Sequence, residues 1–177
     1  MAVAALVSLE EYLSTSYDPD CDYVEGRLVD RNAGERDHSY LQVTITSLLL
    51  QRGLFAFTEL RIQIGIARFR IPDVLGEREM PKSRFLRRPP YIVVEILSPD
   101  DRASDMAEKI DDYLAFGVEN VWVIDPRRRH LTAHTQSGSL RCAGQVRTTD
   151  GQISISLEEI FGRMPPAATD MPPAGTE

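Results

Sequence analysis

The chain has 177 residues, 42% of them hydrophobic and 27% charged, the balance of an ordinary globular protein with enough length for one sizeable core. Its net charge of −7 argues against a general polyanion binder while leaving room for a local basic groove. Residues 1–7 are apolar but too few for a membrane span, carry no basic flank and run into Glu10-Glu11, so neither a signal peptide nor a transmembrane helix is expected.

Two cysteines, Cys21 and Cys142, stand far apart without metal-ligand spacing, and free thiols in a reducing cytoplasm are the expectation. Ser8-Leu9-Glu10-Glu11 has capping-box spacing and opens a short helix through Leu13. After a turn-rich stretch over 14–21, Tyr23-Val24-Glu25-Gly26-Arg27-Leu28-Val29 reads as a hairpin or a strand kinked at Gly26. Asp37 is the expected cap of a helix over 38–52, with Leu41, Thr44, Ile45, Leu48 and Leu49 inward and Gly53 at its end.

Strands follow at 55–58, 61–64 and 69–71, with a turn near Gly65. Residues 68–75 read as one strand-like segment whose alternation puts Phe69, Ile71, Asp73 and Leu75 on one face. Pro72 cannot donate to a ladder, which predicts an edge or a bulge that re-aims a side chain. A basic, proline-bounded loop over 81–90 leads to a strand at 91–97, a helix at 104–116 capped by Ser104 or Asp105 and by Gly117, and a strand at 118–125 carrying a core Trp122. Segments 130–135 and 140–147 predict a hairpin turning at Ser137-Gly138, and Ser156-Leu157-Glu158-Glu159 opens a last short helix ended by Gly162. One domain over 1–162 and a disordered Pro/Ala-rich tail over 163–177 complete the reading.

Three charges stand where local sequence gives them no reason to be. Glu95 interrupts Tyr91-Ile92-Val93-Val94-Glu95-Ile96-Leu97, a run that reads as a strand covered on both faces. Burying a carboxylate there costs several kcal/mol unless a cation or donors meet it. Asp73 shares its strand face with apolar residues, and Lys109 projects from the border of the helical stripe Met106, Ile110, Tyr113, Leu114. Two carboxylates and an ammonium are therefore expected to converge on one pocket. A structural account exists for each: a solvated strand end for Asp73, an ion pair with an arginine for Glu95, a snorkelling helix lysine for Lys109.

Pro72-Asp73 followed by Glu95 on an apolar strand resembles the PD-(D/E)XK nuclease core. With Pro90-Tyr91-Ile92-Val93-Val94-Glu95-Ile96-Leu97-Ser98-Pro99, Lys109-Ile110-Asp111-Asp112-Tyr113 and Val121-Trp122-Val123-Ile124-Asp125-Pro126, the chain is similar to a large bacterial group of restriction endonucleases long catalogued as a domain of unknown function. The likeness extends to Asp22-Tyr23-Val24-Glu25-Gly26 and Glu35-Arg36-Asp37-His38 and reaches about Gly162. It departs from the nuclease pattern at Leu97, where the third residue of Glu-X-Lys is lysine; the narrower group carries that lysine on the next helix, at the place of Lys109.

The resemblance implies an α/β, restriction-endonuclease-like core with a central mixed β-sheet flanked by helices. It also implies a magnesium- or manganese-dependent DNA endonuclease: Asp73, Glu95 and the Ile96 carbonyl hold the metal, and Lys109 serves as the catalytic cation. Glu25, His38 and Tyr113 are accessory candidates; a solvated hairpin glutamate, a capping or packing histidine and a core-packing tyrosine are their plainer readings. Gln63 is expected on a strand near the site. Arg84, Arg87 and Arg88, with Lys82, form one basic cluster, and Arg127-Arg128-Arg129 another, either able to track a DNA backbone or to be solvated surface. A homodimer is expected by analogy alone. The rival expectation is a catalytically inactive nuclease-fold module acting in nucleic-acid or protein binding, supported by Leu97 and the acidic net charge.

Overall fold

The computed structural model describes residues 6–18, 20–30, 35–99 and 101–165, and the expected tail lies outside them from residue 166 onward. Helix α1 (Leu9–Ser14) starts where expected, its N-cap Ser8 hydroxyl accepting from the Glu11 amide. Strands β1 (Cys21–Val24) and β2 (Arg27–Asp30) form a tight hairpin. Both turn residues, Glu25 and Gly26, have positive φ (51° and 87°), the mirror-image turn that matches strand twist and for which glycine is suited.

Helix α2 (Arg36–Gln51) buries Leu41, Ile45, Leu48 and Leu49, while Thr44 is only half-buried. It begins two residues before the expected 38, with Glu35 rather than Asp37 at the N-cap and no capping bond from that side chain. Strands β3 (Phe55–Thr58), β4 (Ile62–Gly65), β5 (Arg68–Arg70), β6 (Val74–Glu77) and β7 (Ile92–Ile96) precede helix α3 (Ala103–Phe116), whose N-cap is Arg102 instead of Ser104 or Asp105. Strands β8 (Val121–Asp125), β9 (His130–Thr135) and β10 (Gly138–Arg141) follow, then β11 (Gln145–Arg147), β12 (Ser154–Ser156) and helix α4 (Leu157–Phe161). The expected arm over 140–147 is split: β10 pairs with β9, but β11 turns away to pair with β12. At α4 the Ser156–Glu159 capping box is complete in both directions.

The expected central mixed sheet is six-stranded, in the order β10-β9-β8-β7-β6-β3, with β7 and β8 parallel and the other neighbours antiparallel. A four-stranded antiparallel sheet, β2-β1-β5-β4, stands beside it. The predicted single strand over 68–75 is thus two strands in two sheets, parted at Ile71-Pro72-Asp73. Pro72 lacks the N–H that a ladder needs, so pairing stops there and the chain changes sheet. Alternation across 69–75 misleads for a second reason: every residue from 69 to 77 is buried, so no face is solvent-exposed to alternate with.

Packing follows from β7. Ile92, Val94 and Ile96 join Trp122, Ile124 and the inner face of α2 in the larger core; Val93 joins Tyr113, Val118 and Val121 on the opposite side, under α3. Strand alternation places Glu95 on that second side. A third cluster, Tyr12, Cys21, Tyr23 and Phe69, holds α1 against the four-stranded sheet, with Tyr12 and Tyr23 stacked at 4.8 Å. Cys21 and Cys142 are free thiols, as expected. Among the described residues no helix is long and apolar enough to cross a membrane.

Gly117 ends α3 in the left-handed region (φ 102°), and a Cβ added there would stand 3.2 Å from Pro89 Cγ. Gly117→Ala should therefore destabilise the protein by about 1–2 kcal/mol, read as a fall in Tm of about 3–6 °C in thermal unfolding. An unchanged Tm would show that neither the backbone nor the Pro89 contact is strained by the methyl group.

Candidate active site

Glu95 is 1% exposed, in the middle of the sheet. Its Oε1 accepts from the Tyr113 hydroxyl at 2.6 Å, and its Oε2 meets Lys109 Nζ at 3.3 Å. Both partners come from α3, one turn apart, because residues four apart share a helix face. Burial is the largest influence on Glu95 and pushes its pKa up to about 7. Lys109 and the Tyr113 hydrogen bond pull it down, while the charges of Asp73 and Asp22 push it up. Tyr113 is shifted upward too, by burial first and then by the carboxylate of Glu95.

Asp73 reaches the same place from the sheet-switching link. Ladder pairing between β6 and β7 ends at Val74 with Val94. Beyond it the Asp73 side chain takes over the role of a strand acceptor: Oδ2 accepts the Ile96 amide at 2.7 Å. In an extended strand the N–H and C=O of one residue point to the same edge, so the Ile96 carbonyl faces the Asp73 side. Helix α2 secures the link from the other face. His38 Nε2 stands 3.2 Å from Asp73 Oδ2, and Gln42 Nε2 donates to the Asp73 backbone carbonyl at 3.0 Å.

A third carboxylate, Asp22 on β1, went unnoticed in the sequence. It is 1% exposed; Oδ1 accepts the Ile71 amide at 2.9 Å, and Oδ2 meets Arg70 Nη1 at 3.1 Å and Lys109 Nζ at 3.9 Å. Buried Arg70 also bonds Glu108 at 2.9 Å and Asp112 at 2.7 Å, the α3 residues that flank Lys109. Burial opposes the Arg70 charge, but Asp22 and Asp112 outweigh it and hold the guanidinium above its ordinary range. Both Asp22 and Arg70 were open to the reasoning that singled out Glu95, since each is a charge set among buried strand neighbours.

A cleft of about 860 Å³ opens over Asp73, Glu95, Ile96 and Lys109. A smaller cavity of about 340 Å³ shares His38 and Ser98 with it and is lined by Leu97, Arg127 and Arg128. Of the predicted site residues, Asp73, Glu95, Ile96, Lys109, His38 and Tyr113 come together. Glu25 sits on the cleft lining in the β1–β2 turn, its side chain 77% exposed and 3.5 Å from Arg68. Arg84, Arg87 and Arg88 line neither cavity: Arg87 lies over the Phe85 ring and Arg88 pairs with buried Glu77 at 2.8 Å. Gln63 is on strand β4 as expected, accepts the Arg87 Nε hydrogen bond and lines neither cavity.

Among the described residues no group of three or more His, Cys, Asp or Glu side chains is arranged to hold a metal. The available donor set is accordingly two carboxylates and a main-chain carbonyl, all oxygen, which suits a hard cation that keeps several waters.

The profile of the family described as "Uma2: Putative restriction endonuclease" matches residues 9–164. Among solved structures, the chain is similar to the crystal structure of a "putative nuclease belonging to DUF820" from Anabaena variabilis, with 22% identity, a TM-score of 0.77, and coverage of 88% of this chain and 98% of that one. A cryoEM structure of a DrdV–DNA complex matches 72% of this chain and 11% of that one, at 17% identity and a TM-score of 0.41. None of the curated proteins matches. The first likeness shows a restriction-endonuclease-like fold, and the family match spans nearly the whole described structure: the chain belongs to the Uma2 family.

Proposed function

We propose that the cleft is the active site of a divalent-metal-dependent endonuclease that hydrolyses phosphodiester bonds in DNA. The observation that carries this reading is the meeting of Asp73, Glu95 and Lys109, residues far apart in sequence, at the floor of one cleft. Two buried carboxylates close enough for Asp73 to raise the pKa of Glu95 form an arrangement that a cation relieves. Asp73, Glu95 and the Ile96 carbonyl would hold magnesium or manganese. When bound, such an ion supplies a nucleophilic water and neutralises charge on the phosphate.

The protein's own groups fix everything around it. The Ile96 amide and His38 orient Asp73 through Oδ2, and the Tyr113 hydroxyl pins Glu95 through Oε1. Lys109 brings an ammonium to the place where negative charge builds on the phosphate oxygens, the role that a lysine at position 97 would otherwise fill. Leu97 instead lines the smaller cavity, its amide bonded to the Ile124 carbonyl at 2.9 Å. Arg127 and Arg128 supply sequence-independent contacts to the DNA backbone from that cavity. Cutting both strands of a duplex takes two such sites, which makes a homodimer the matching active unit.

A second reading has its own support. Each acid already has protein partners, Glu95 with Tyr113 and Lys109, Asp73 with Ile96 and His38, as in a network retained for structure alone. On that reading Glu95→Leu stabilises the fold, because a buried ion pair is often no better than an apolar residue of similar size.

Incubation with magnesium or manganese and mixed linear and supercoiled DNA should give cleavage that a chelator abolishes, and Asp73→Ala or Lys109→Met should slow it by roughly a hundredfold or more. No cleavage with any metal, or cleavage indifferent to Asp73→Ala, removes the nuclease reading.

Glu95 is ordinarily a carboxylate with a pKa of 4.5 and in the fold is pushed up to about 7, so the metal-free folded state keeps a proton that the unfolded chain releases. Its contribution to stability is full below about 4.5 and is lost as pH rises through about 7. Metal affinity runs the opposite way, since the ligand must be deprotonated. Manganese binding, followed by calorimetry, should tighten by about tenfold per pH unit approaching 7 and level off above it, and Glu95→Gln should abolish that slope. A flat profile in the wild-type protein would remove Glu95 from the ligand set.

A further inference from the structure

We propose that Asp22 is a positioning residue for Lys109: it holds the ammonium over the cleft whenever the charge of Glu95 is engaged elsewhere. The catalytic meaning of this rests on the nuclease reading, but the pairing itself does not. Lys109 Nζ is in reach of two buried carboxylates, 3.3 Å from Glu95 Oε2 and 3.9 Å from Asp22 Oδ2. These two oxygens compete for one ammonium, and Glu95 is the nearer. A cation on Glu95 repels Lys109 and weakens its hold there. Asp22 is buried and within 3.9 Å of the same ammonium, so a small side-chain rotation converts the longer contact into a hydrogen-bonded pair without sending Lys109 into solvent.

The plainer account makes Asp22 the counter-charge of Arg70 and nothing more. Charge counting argues against it. Arg70 shares Glu108 and Asp112 with Arg68, so two guanidiniums and two carboxylates balance before Asp22 is considered. Asp22 Oδ1 is taken by the Ile71 amide, which leaves Oδ2 facing both Arg70 and Lys109. Asp22 is a carboxylate beyond that balanced set, and Lys109 is the second cation on its Oδ2. The surrounding network also fixes where the lysine starts. Glu108 and Asp112, one residue before and three after Lys109, are clamped by buried Arg70, so α3 cannot turn the lysine away from β1 and β7 without breaking those pairs.

Glu95→Gln supplies the test, because it removes the competing charge without metal or DNA and keeps the side-chain shape. In a crystal structure of that variant, Lys109 Nζ should close on Asp22 Oδ2 from 3.9 Å to hydrogen-bond distance, about 2.7–3.2 Å. In solution the chain offers a clean reference, since Lys82 and Lys109 are its only two lysines and Lys82 is exposed. Peptide mapping after acylation should show Lys109 reacting at least roughly fivefold more slowly than Lys82 in Glu95→Gln, and at a comparable rate once Asp22→Asn is added. A Lys109 that swings to solvent in Glu95→Gln, or that stays protected in a folded double variant, overturns the proposal. Should the double variant fail to fold, the single variant decides alone. With active enzyme, Asp22→Asn should lower kcat at least roughly tenfold while manganese affinity stays within about threefold, and an unchanged kcat overturns the positioning role. Absence of cleavage in the wild-type protein would remove the nuclease reading and leave the Lys109–Asp22 pairing to stand or fall on the two structural measurements.

Discussion

A carboxylate in the middle of a sheet covered on both faces is the constraint around which this molecule is built. Glu95 on β7 has α2 and the larger core behind it and α3 in front, so its charge is met from within the protein or not carried at all. Two residues of α3, one turn apart, meet it, and that demand fixes how α3 lies across the sheet. The influences against ionisation win: burial and the charges of Asp73 and Asp22 outweigh Lys109 and Tyr113, and the outcome is a pKa of about 7 instead of the ordinary carboxylate range. A group poised in this way changes its charge in response to whatever binds beside it.

The second constraint is the change of sheet at Ile71-Pro72-Asp73. A proline at that point ends the pairing of β5, and the next residue puts its side chain where a strand would have put a carbonyl. Because Asp22 accepts the Ile71 amide and bonds Arg70, the first sheet is pinned to the link from one end, while Ile96, His38 and Gln42 pin Asp73 from the other. Asp73 is thus held on rigid elements from three directions although it lies in no strand itself, which is how an irregular segment keeps a side chain in place within a fraction of an ångström.

Much of this was legible in the sequence, for reasons that differ by residue. Glu95 and Lys109 broke local patterns strongly enough to be singled out, and the Gly117 and Ser156 caps obey chemistry confined to a few neighbouring residues. The starts of α2 and α3 were misplaced because Asp37, Ser104 and Asp105 are good caps that the tertiary structure does not use: both helices begin earlier, with Glu35 and Arg102 as their N-caps. The partition of 68–77 into two sheets was hidden because alternation carries no information where both faces are buried. Asp22 and Arg70 stand out locally as charges among strand residues, but their roles come from a pairing across 48 residues of chain that no local window contains. The split of 140–147 escaped for the same reason, β11 finding its partner in β12 and not in the strand before it.

On the nuclease reading, charge distribution explains how an acidic protein would accommodate a polyanion. Arg68 and Arg70 contribute positive charge to the cleft lining, but both are already bonded to Asp112 and Glu108 and act as internal staples rather than as a docking surface. The cations better placed to attract a phosphate from solution are Arg127 and Arg128 at the adjoining cavity, and Lys109 on the cleft floor. On the nuclease reading, long-range attraction is then weak by construction. On that reading a divalent ion on the floor would neutralise the two mutually repelling carboxylates and leave the Lys109 ammonium as the net positive charge. Selectivity for the reacting phosphate would reside in that local inversion of sign, with the remaining arginines serving the fold.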